Sequence, residues 1–218
     1  VEYSNNIVWP MEMLGWLTNS YSSAIASNRK IKKIYQETPD IQEIGQPTVL
    51  ENVRGKIQFE NVSYGKNKRK NILENISFTV NPGGMLGIMG ETGSGKSTII
   101  HLLSRYYDVS DGCIKLDDVD IRQMTLKQVR ESVASVMQDV FLFSDTISEN
   151  IKLGKKHSLG DEEIRRASDH AQVSEFASRM EKQYDTVIGE RGVGLSGGQK
   201  QRISIARALA KQSPILVL

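Results

Sequence analysis

Gly90-Glu91-Thr92-Gly93-Ser94-Gly95-Lys96-Ser97-Thr98 meets the phosphate-loop pattern G-x-x-x-x-G-K-[ST] at every fixed position. Glycines at 90, 93 and 95 let the backbone curl, so that successive N–H groups face inward and wrap phosphate oxygens. Lys96 supplies a point charge for the outer phosphates, and Ser97 offers its hydroxyl to a Mg²⁺ ion bridging two of them. The positive end of the helix that follows adds to the field. The flanks have the order the motif requires. Met85-Leu86-Gly87-Ile88-Met89 is predicted to form a short buried strand, and Thr98 to Leu103 opens a helix with an apolar face. The stretch therefore specifies a nucleoside triphosphate site rather than a glycine-rich turn.

Composition narrows the surroundings of that site. A chain of 218 residues can bury one large core, or one core with a smaller subdomain. With 28 Lys and Arg against 26 Asp and Glu, the net charge of +2 gives no electrostatic case for a nucleic-acid partner. The single cysteine, Cys113, cannot close an internal disulfide, and no Cys/His cluster has metal-ligand spacing.

Upstream of the loop, Ile7, Met11, Leu14, Thr18, Tyr21 and Ile25 recur at helical spacing, with Trp9 and Trp16 in the apolar end. The apolar run is about half the roughly 20 residues that span a bilayer, and Glu12 interrupts it. Arg29, Lys30, Lys32 and Lys33 follow, as on the cytoplasmic flank of a membrane span. These residues fit equally an amphipathic helix on a globular domain and the last turns of a membrane helix. Pro39 stops the helix, and 39–54 reads as a linker with neither period. Residues 56–64 alternate as a half-buried strand, and 71–80 hold a second. Between them Gly65 to Lys70 carries four positive charges without interleaved aromatics, which favours a solvated hairpin tip over a nucleic-acid patch.

Beyond the loop, Ser110-Asp111-Gly112 is a tight turn before a strand at 113–116, and Ser132 to Met137 is a strand ending at Gln138. Asp161 to Met180 reads as a largely exposed helical insertion. Leu195-Ser196-Gly197-Gly198-Gln199 opens a helix whose apolar face includes Ile203, Ala206, Leu209 and Ala210. Pro214 to Leu218 is an apolar run that reads as a buried strand.

The phosphate loop and Leu195 to Gln199, about a hundred residues apart, together resemble the ABC transporter ATPase family, in its exporter branch where membrane and nucleotide domains share one polypeptide. The resemblance implies an α/β fold: a P-loop NTPase core with a small antiparallel β region and a helical subdomain, preceded by a partial membrane-helix tail. It divides the chain into 1–38, the end of the last transmembrane helix and its cytoplasmic extension; 39–54, a linker; and 55–218, the nucleotide-binding domain.

It also assigns roles. Gly90, Glu91, Thr92, Gly93, Ser94, Gly95, Lys96, Ser97 and Thr98 bind ATP, with Ser97 and Gln138 toward Mg²⁺. Tyr64 matches the aromatic that stacks on adenine, which needs an exposed ring face. Gln138 matches the glutamine that reaches the attacking water and couples to the membrane domain. Ser196, Gly197, Gly198 and Gln199, at a helix N-terminus, face the γ-phosphate held by a second nucleotide-binding domain. Lys96, Gln138 and Ser196 are thus the catalytic candidates, and the partners are a second such domain and a membrane domain. Gly189 to Gly192 resembles a loop that touches that membrane domain.

In the family an aspartate that orders Mg²⁺ and a glutamate base follow the run at 215–218, and a later histidine contacts the γ-phosphate. The sequence holds none of these, and His101, His157 and His170 stand elsewhere. The expectation is a chain that binds ATP but turns it over poorly, from a parent that hydrolyses ATP to drive export. The alternative is a nucleotide-binding or partner-interaction module without hydrolysis.

Overall fold

The computed structural model describes residues 2–65, 71–155, 159–189, 192 and 194–218, with side chains from residue 8 onward. It divides into two compact units, Val1–Gln42 and Glu43–Leu218. The first is built on helix α1 (Glu2–Gln36), whose described side chains, Trp9, Leu14, Trp16 and Tyr21 among them, are exposed. It ends three residues before Pro39, and Lys33 in its last turn complements the negative end of the helix dipole. Among the described residues no helix is long and apolar enough to cross a membrane.

In the second unit the period-2 pattern of 56–64 becomes β1 (Ile57–Tyr64), at the centre of an antiparallel sheet with β2 (Leu73–Val80), β3 (Asp111–Leu116) and β4 (Val119–Asp120). The order is β2-β1-β3-β4, with Ile57 opposite Val80 on one side and Leu116 on the other. Phe59 and Phe78 stack with ring centroids 4.4 Å apart, a cross-strand pair of the kind that pins register. A register shift falls at Asn61, whose φ is +49°. Gly112 enters β3 at φ +77°, and a Cβ there would sit 2.3 Å from the carbonyl oxygen of Glu60. Only glycine lets the two backbones come that close.

The inner face of this sheet packs with helix α2 (Lys96–Leu103), helix α3 (Leu126–Ser132) and a parallel pair of strands, β5 (Val133–Ser135) and β6 (Ile215–Val217), around Phe59, Val62, Leu102, Ile114 and Val129. A second core joins α4 (Ile147–Lys152), α5 (Asp161–His170), α6 (Ser174–Ala177) and α7 (Gly197–Ala210) through Leu142, Ile151, Ile164, Ala167, Ile203 and Ala206. This is the helical subdomain expected beside an α/β core.

Some local expectations change. Met85 to Met89 is not a buried strand: it has no ladder partner among the described residues, and Met85 and Met89 are 99% and 94% exposed. An apolar run becomes a strand only where neighbouring backbones supply hydrogen-bond partners, and none of the described strands pairs with it. Ser132 closes α3 rather than opening β5. The 161–180 stretch is not a mostly solvated insertion, because Ile164, Ala167, Val173 and Ala177 are buried in the second core. The basic hairpin tip at 66–70, His157, and Glu190 and Arg191 of the glycine-punctuated loop lie outside the described residues.

The stretch at 43–56 has no regular element, yet it is fastened to the domain. Thr48 N donates to Gln123 O at 2.7 Å, and Gln128 both receives from Leu50 N and donates to Leu50 O. The Asp117 carboxylate accepts from the backbone N–H groups of Arg54, Gly55 and Lys56. Leu126 N donates to the Glu43 carboxylate at 2.6 Å.

Candidate functional site

The phosphate loop runs into α2 through Gly95, which caps the helix in the left-handed region at φ +92° and ψ +9°. A Cβ there would press on Leu73 at 2.8 Å and Ile72 at 3.2 Å, so glycine is required both for conformation and for space. Glycine has no side chain with which to cap. The N–H groups of Lys96 and Ser97 consequently meet no acceptor among the described hydrogen bonds, and the first turn carries no acid. The start of α2 thus presents bare donors and the positive end of the dipole. Gly93, at φ +86°, gives the loop its other left-handed turn.

Lys96 folds back across the loop: its Nζ donates to the carbonyls of Gly90 and Glu91, each at 2.7 Å. These bonds hold the ammonium over the mouth of the loop by neutral carbonyls instead of a carboxylate, so its charge remains available to an anion. Ser97 is exposed, as a ligand to an ion at the loop must be.

Tyr64 stands close to this loop through shared neighbours. It pairs with Leu73 across the β1–β2 ladder and its carbonyl accepts from Ile72 N, the same two residues that Gly95 rests against. Its ring, however, is not the exposed face expected. It is 8% exposed, tilted against Tyr107 at 5.6 Å, and burial raises its phenol pKa, with Tyr107 adding to the shift. The alternating pattern that makes β1 also points Tyr64 into the core, so a base reaches this ring only if the side chain swings out.

Gln138 lies three residues past β5 and is exposed. Val136 N, two residues before it, donates to Val217 O. Leu142, four after it, is fully buried in the helical core. A pocket of about 330 Å³ opens beside it, lined by Met137, Asp139, Phe141, Tyr106 and the cations Arg130, Arg207 and Lys211. Burial lowers the pKa of both Arg207 and Lys211. Lys211 donates to the carbonyls of Arg130 and Val133, and the Arg130 guanidinium lies 5.3 Å over the Tyr106 ring.

Ser196 is the N-cap of α7 and forms a reciprocal capping box. Its Oγ accepts from Gln199 N at 3.3 Å, and Gln199 Oε1 accepts from Ser196 N at 2.9 Å. A hydroxyl that accepts at the cap keeps its own proton to donate outward. Ser196, Gly197 and Gly198 are exposed, and a pocket of about 290 Å³ flanks them, bounded by Phe176, Arg179 and the Arg202–Glu175 ion pair. The structure therefore gathers Gly90 to Thr98 with Tyr64 at one place and Ser196 to Gln199 at another. No hydrogen bond among the described residues joins them. Sequence reasoning had no signal for Asn150 and Arg207, which tie the segment after Gln138 to α7.

Residues 73–218 match the family model described as ABC transporter. An ATP-dependent lipid A-core flippase of Coxiella burnetii is 43% identical over 204 residues, covering 93% of this chain and 34% of that protein. An uncharacterized ABC transporter ATP-binding protein, YknU of Bacillus subtilis, is 40% identical over 98% of this chain and 37% of its own length. Among solved structures, a bacterial Atm1-family ABC exporter with ATP bound superposes with a TM-score of 0.85 at 35% identity, over 98% of this chain and 38% of the exporter chain. The chain thus spans little more than a third of the length of these relatives. With an uncapped phosphate loop on one core, a capping-box signature helix on the other, and a family model covering both, the chain belongs to the ABC transporter family, as an ATP-binding domain of exporter type.

Proposed function

We propose that this domain binds MgATP for an ABC exporter, in which ATP binding closes two nucleotide-binding domains and hydrolysis reopens them. The observation that carries the reading is the start of α2: two backbone donors without acceptors among the described residues, a glycine cap, and Lys96 held across the loop by carbonyls. That arrangement fits a triphosphate, whose oxygens would take the N–H groups while Lys96 neutralises the outer charge. Ser97 and Gln138 would hold the Mg²⁺, which would supply charge neutralisation for the phosphates.

The chain's own residues then divide the work. The glycines at 90, 93 and 95 let the backbone approach the phosphates, and Gln138 orients the water. Tyr64, once its ring is turned out beside Ile72 and Leu73, stacks on the adenine. Ser196 donates its free proton toward the γ-phosphate of a second domain, with Gly197, Gly198 and Gln199 around it. Phosphoryl transfer depends chiefly on such positioning and field, so the composite site acts by assembly. The partners are accordingly a second nucleotide-binding domain and a membrane domain, with this domain on the cytoplasmic side. The basic and aromatic pocket beside Gln138 supports contact with the membrane domain.

The test is the full-length protein in lipid. Mg²⁺-dependent ATPase activity and nucleotide-dependent approach of the two domains are expected. Absence of both, in a folded preparation, refutes the proposal.

A further inference from the structure

The span around Gln138 is anchored at both ends, and the anchors belong to different cores. On one side Val136 N bonds to Val217 O, fixing the chain to the β5–β6 pair. On the other, Arg207 of α7 donates from Nη1 to Phe141 O at 3.0 Å, from Nε to Asn150 O at 2.8 Å and from Nη2 to Asn150 Oδ1 at 3.0 Å. Asn150, fully buried in α4, completes the link: its Oδ1 accepts from Phe143 N at 2.9 Å, and its Nδ2 donates to Phe143 O and Thr146 O, each at 3.0 Å. Four residues, 137–140, run between the anchors, and the five steps from Val136 to Phe141 reach at most about 18 Å when extended. The place of Gln138 is therefore a function of where α7 stands relative to β5 and β6.

Arg207 is suited to this task by what it lacks. Among the described residues its acceptors are two carbonyls and an amide oxygen, with no carboxylate to draw it aside, and burial disfavours its charge. Behind it, Gly154 passes so close that a Cβ would sit 2.5 Å from Arg207 O, so α7 and the end of α4 cannot slide past one another at this point.

We propose that Arg207 and Asn150 form a positioning latch through which α7 sets the location of Gln138. One end of α7 carries Ser196 at its cap; eleven residues on, the same helix holds the loop that bears the glutamine. A displacement of α7 when its cap engages a nucleotide on the partner domain is transmitted to Phe141 and hence to the residue that orients water in the domain's own site. The two sites of a closed pair are then linked through each domain by one guanidinium and one amide. This rests on the reading of Gln138 as a nucleotide-site residue.

The experiment uses the full-length protein in lipid, with Arg207→Lys, Asn150→Ala, Gln138→Ala and the Gln138→Ala/Arg207→Lys pair. Arg207→Lys keeps charge and stem, but its one nitrogen cannot reach the three acceptors that Nε, Nη1 and Nη2 serve separately. The expectation for Arg207→Lys is a loss of about tenfold in kcat, the scale of one charge-assisted hydrogen bond, with KM for ATP little changed. In the Gln138→Ala background the same change should have no further effect, because the residue it positions is gone. Amide exchange at Phe143 should quicken in Asn150→Ala. Multiplicative losses in the pair, or kcat falling only in step with the folded fraction, overturn the latch. If the wild-type protein shows no ATPase activity the functional reading fails instead, and unchanged exchange at Phe143 in Asn150→Ala then refutes the latch separately.

Discussion

Gly93→Ala and Gly112→Ala should separate binding from folding. Both glycines sit in the left-handed region, at φ +86° and +77°, where a residue with a Cβ incurs about 1–2 kcal/mol. Their surroundings differ. Nothing lies within 4 Å of a Cβ on Gly93, whereas on Gly112 it would meet the carbonyl oxygens of Glu60 at 2.3 Å and Asn61 at 2.4 Å. Those atoms belong to β1, the central strand of its sheet, and cannot withdraw without loosening the pairs Glu60 with Cys113 and Ser63 with Asp111. Overpacking of this kind adds about 1–3 kcal/mol to the backbone strain. Gly112→Ala is therefore expected to lower unfolding free energy by about 2–5 kcal/mol and Gly93→Ala by about 1–2. In binding the order reverses: Gly93→Ala turns a loop N–H away from phosphate, while the folded fraction of Gly112→Ala binds nucleotide as the wild type does. Urea unfolding followed by circular dichroism gives the first comparison, and titration with a fluorescent ATP analogue the second. Equal midpoints for the two variants, or greater loss of affinity in Gly112→Ala, would refute the reasoning.

Other outcomes follow from single groups. Lys96→Ala should weaken nucleotide binding by about 1.5–3 kcal/mol, the range for a hydrogen bond to a charged group; unchanged affinity in the same titration counts against the loop as the triphosphate site. Ser196→Ala removes the cap of α7 and should destabilise the domain by about 1 kcal/mol in urea, and in the full-length protein it should also reduce ATPase activity beyond that loss. The Cys113 thiol is pushed up by burial first and then by its hydrogen bond to Glu60, so the folded state holds its proton more tightly than the unfolded chain does. Alkylation of Cys113 should consequently be slow until the pH passes the ordinary thiol range, and Glu60→Gln should quicken it. The linked contribution to stability falls as pH rises from the unfolded thiol value through the raised one; an alkylation profile matching a free thiol would refute the assignment.

Much of this was legible in the chain because it is local. Residues 56–64 and 73–80 alternate apolar and polar with one break each, and β1 and β2 lie there. The glycine pattern of the loop announces a helix, expected from Thr98 and found to start at Lys96, and Leu195 to Gln199 announces the helix that opens as α7. What escaped depends on partners distant in sequence. Met85 to Met89 has the composition of a strand, but a ladder is a property of two segments. Tyr64 was read from its place in a motif, whereas the β1 pleat turns it inward. α3 and α4 are seven and six residues long, too short for a helical period to emerge, and each announces itself only by an N-cap threonine, Thr125 or Thr146. Asn150 and Arg207 belong to no pattern on their own; their meaning is a hydrogen-bond network that joins positions 57 and 66 apart in the chain.

The fastening of 43–56 alters how the nucleotide-binding domain carries load. A tension applied at Glu43 is not delivered to the first residue of β1, as it would be by a slack tether. It is taken up in sequence by Leu126, Gln123, Gln128 and the Asp117 carboxylate, bonds anchored in α3, the turn before it and the β3–β4 corner. Because they lie in series along the strap they must yield one after another. Traction from upstream would thus be spread over the floor of the domain, leaving the β1–β2 ladder, and with it the neighbours of Gly95, mechanically shielded.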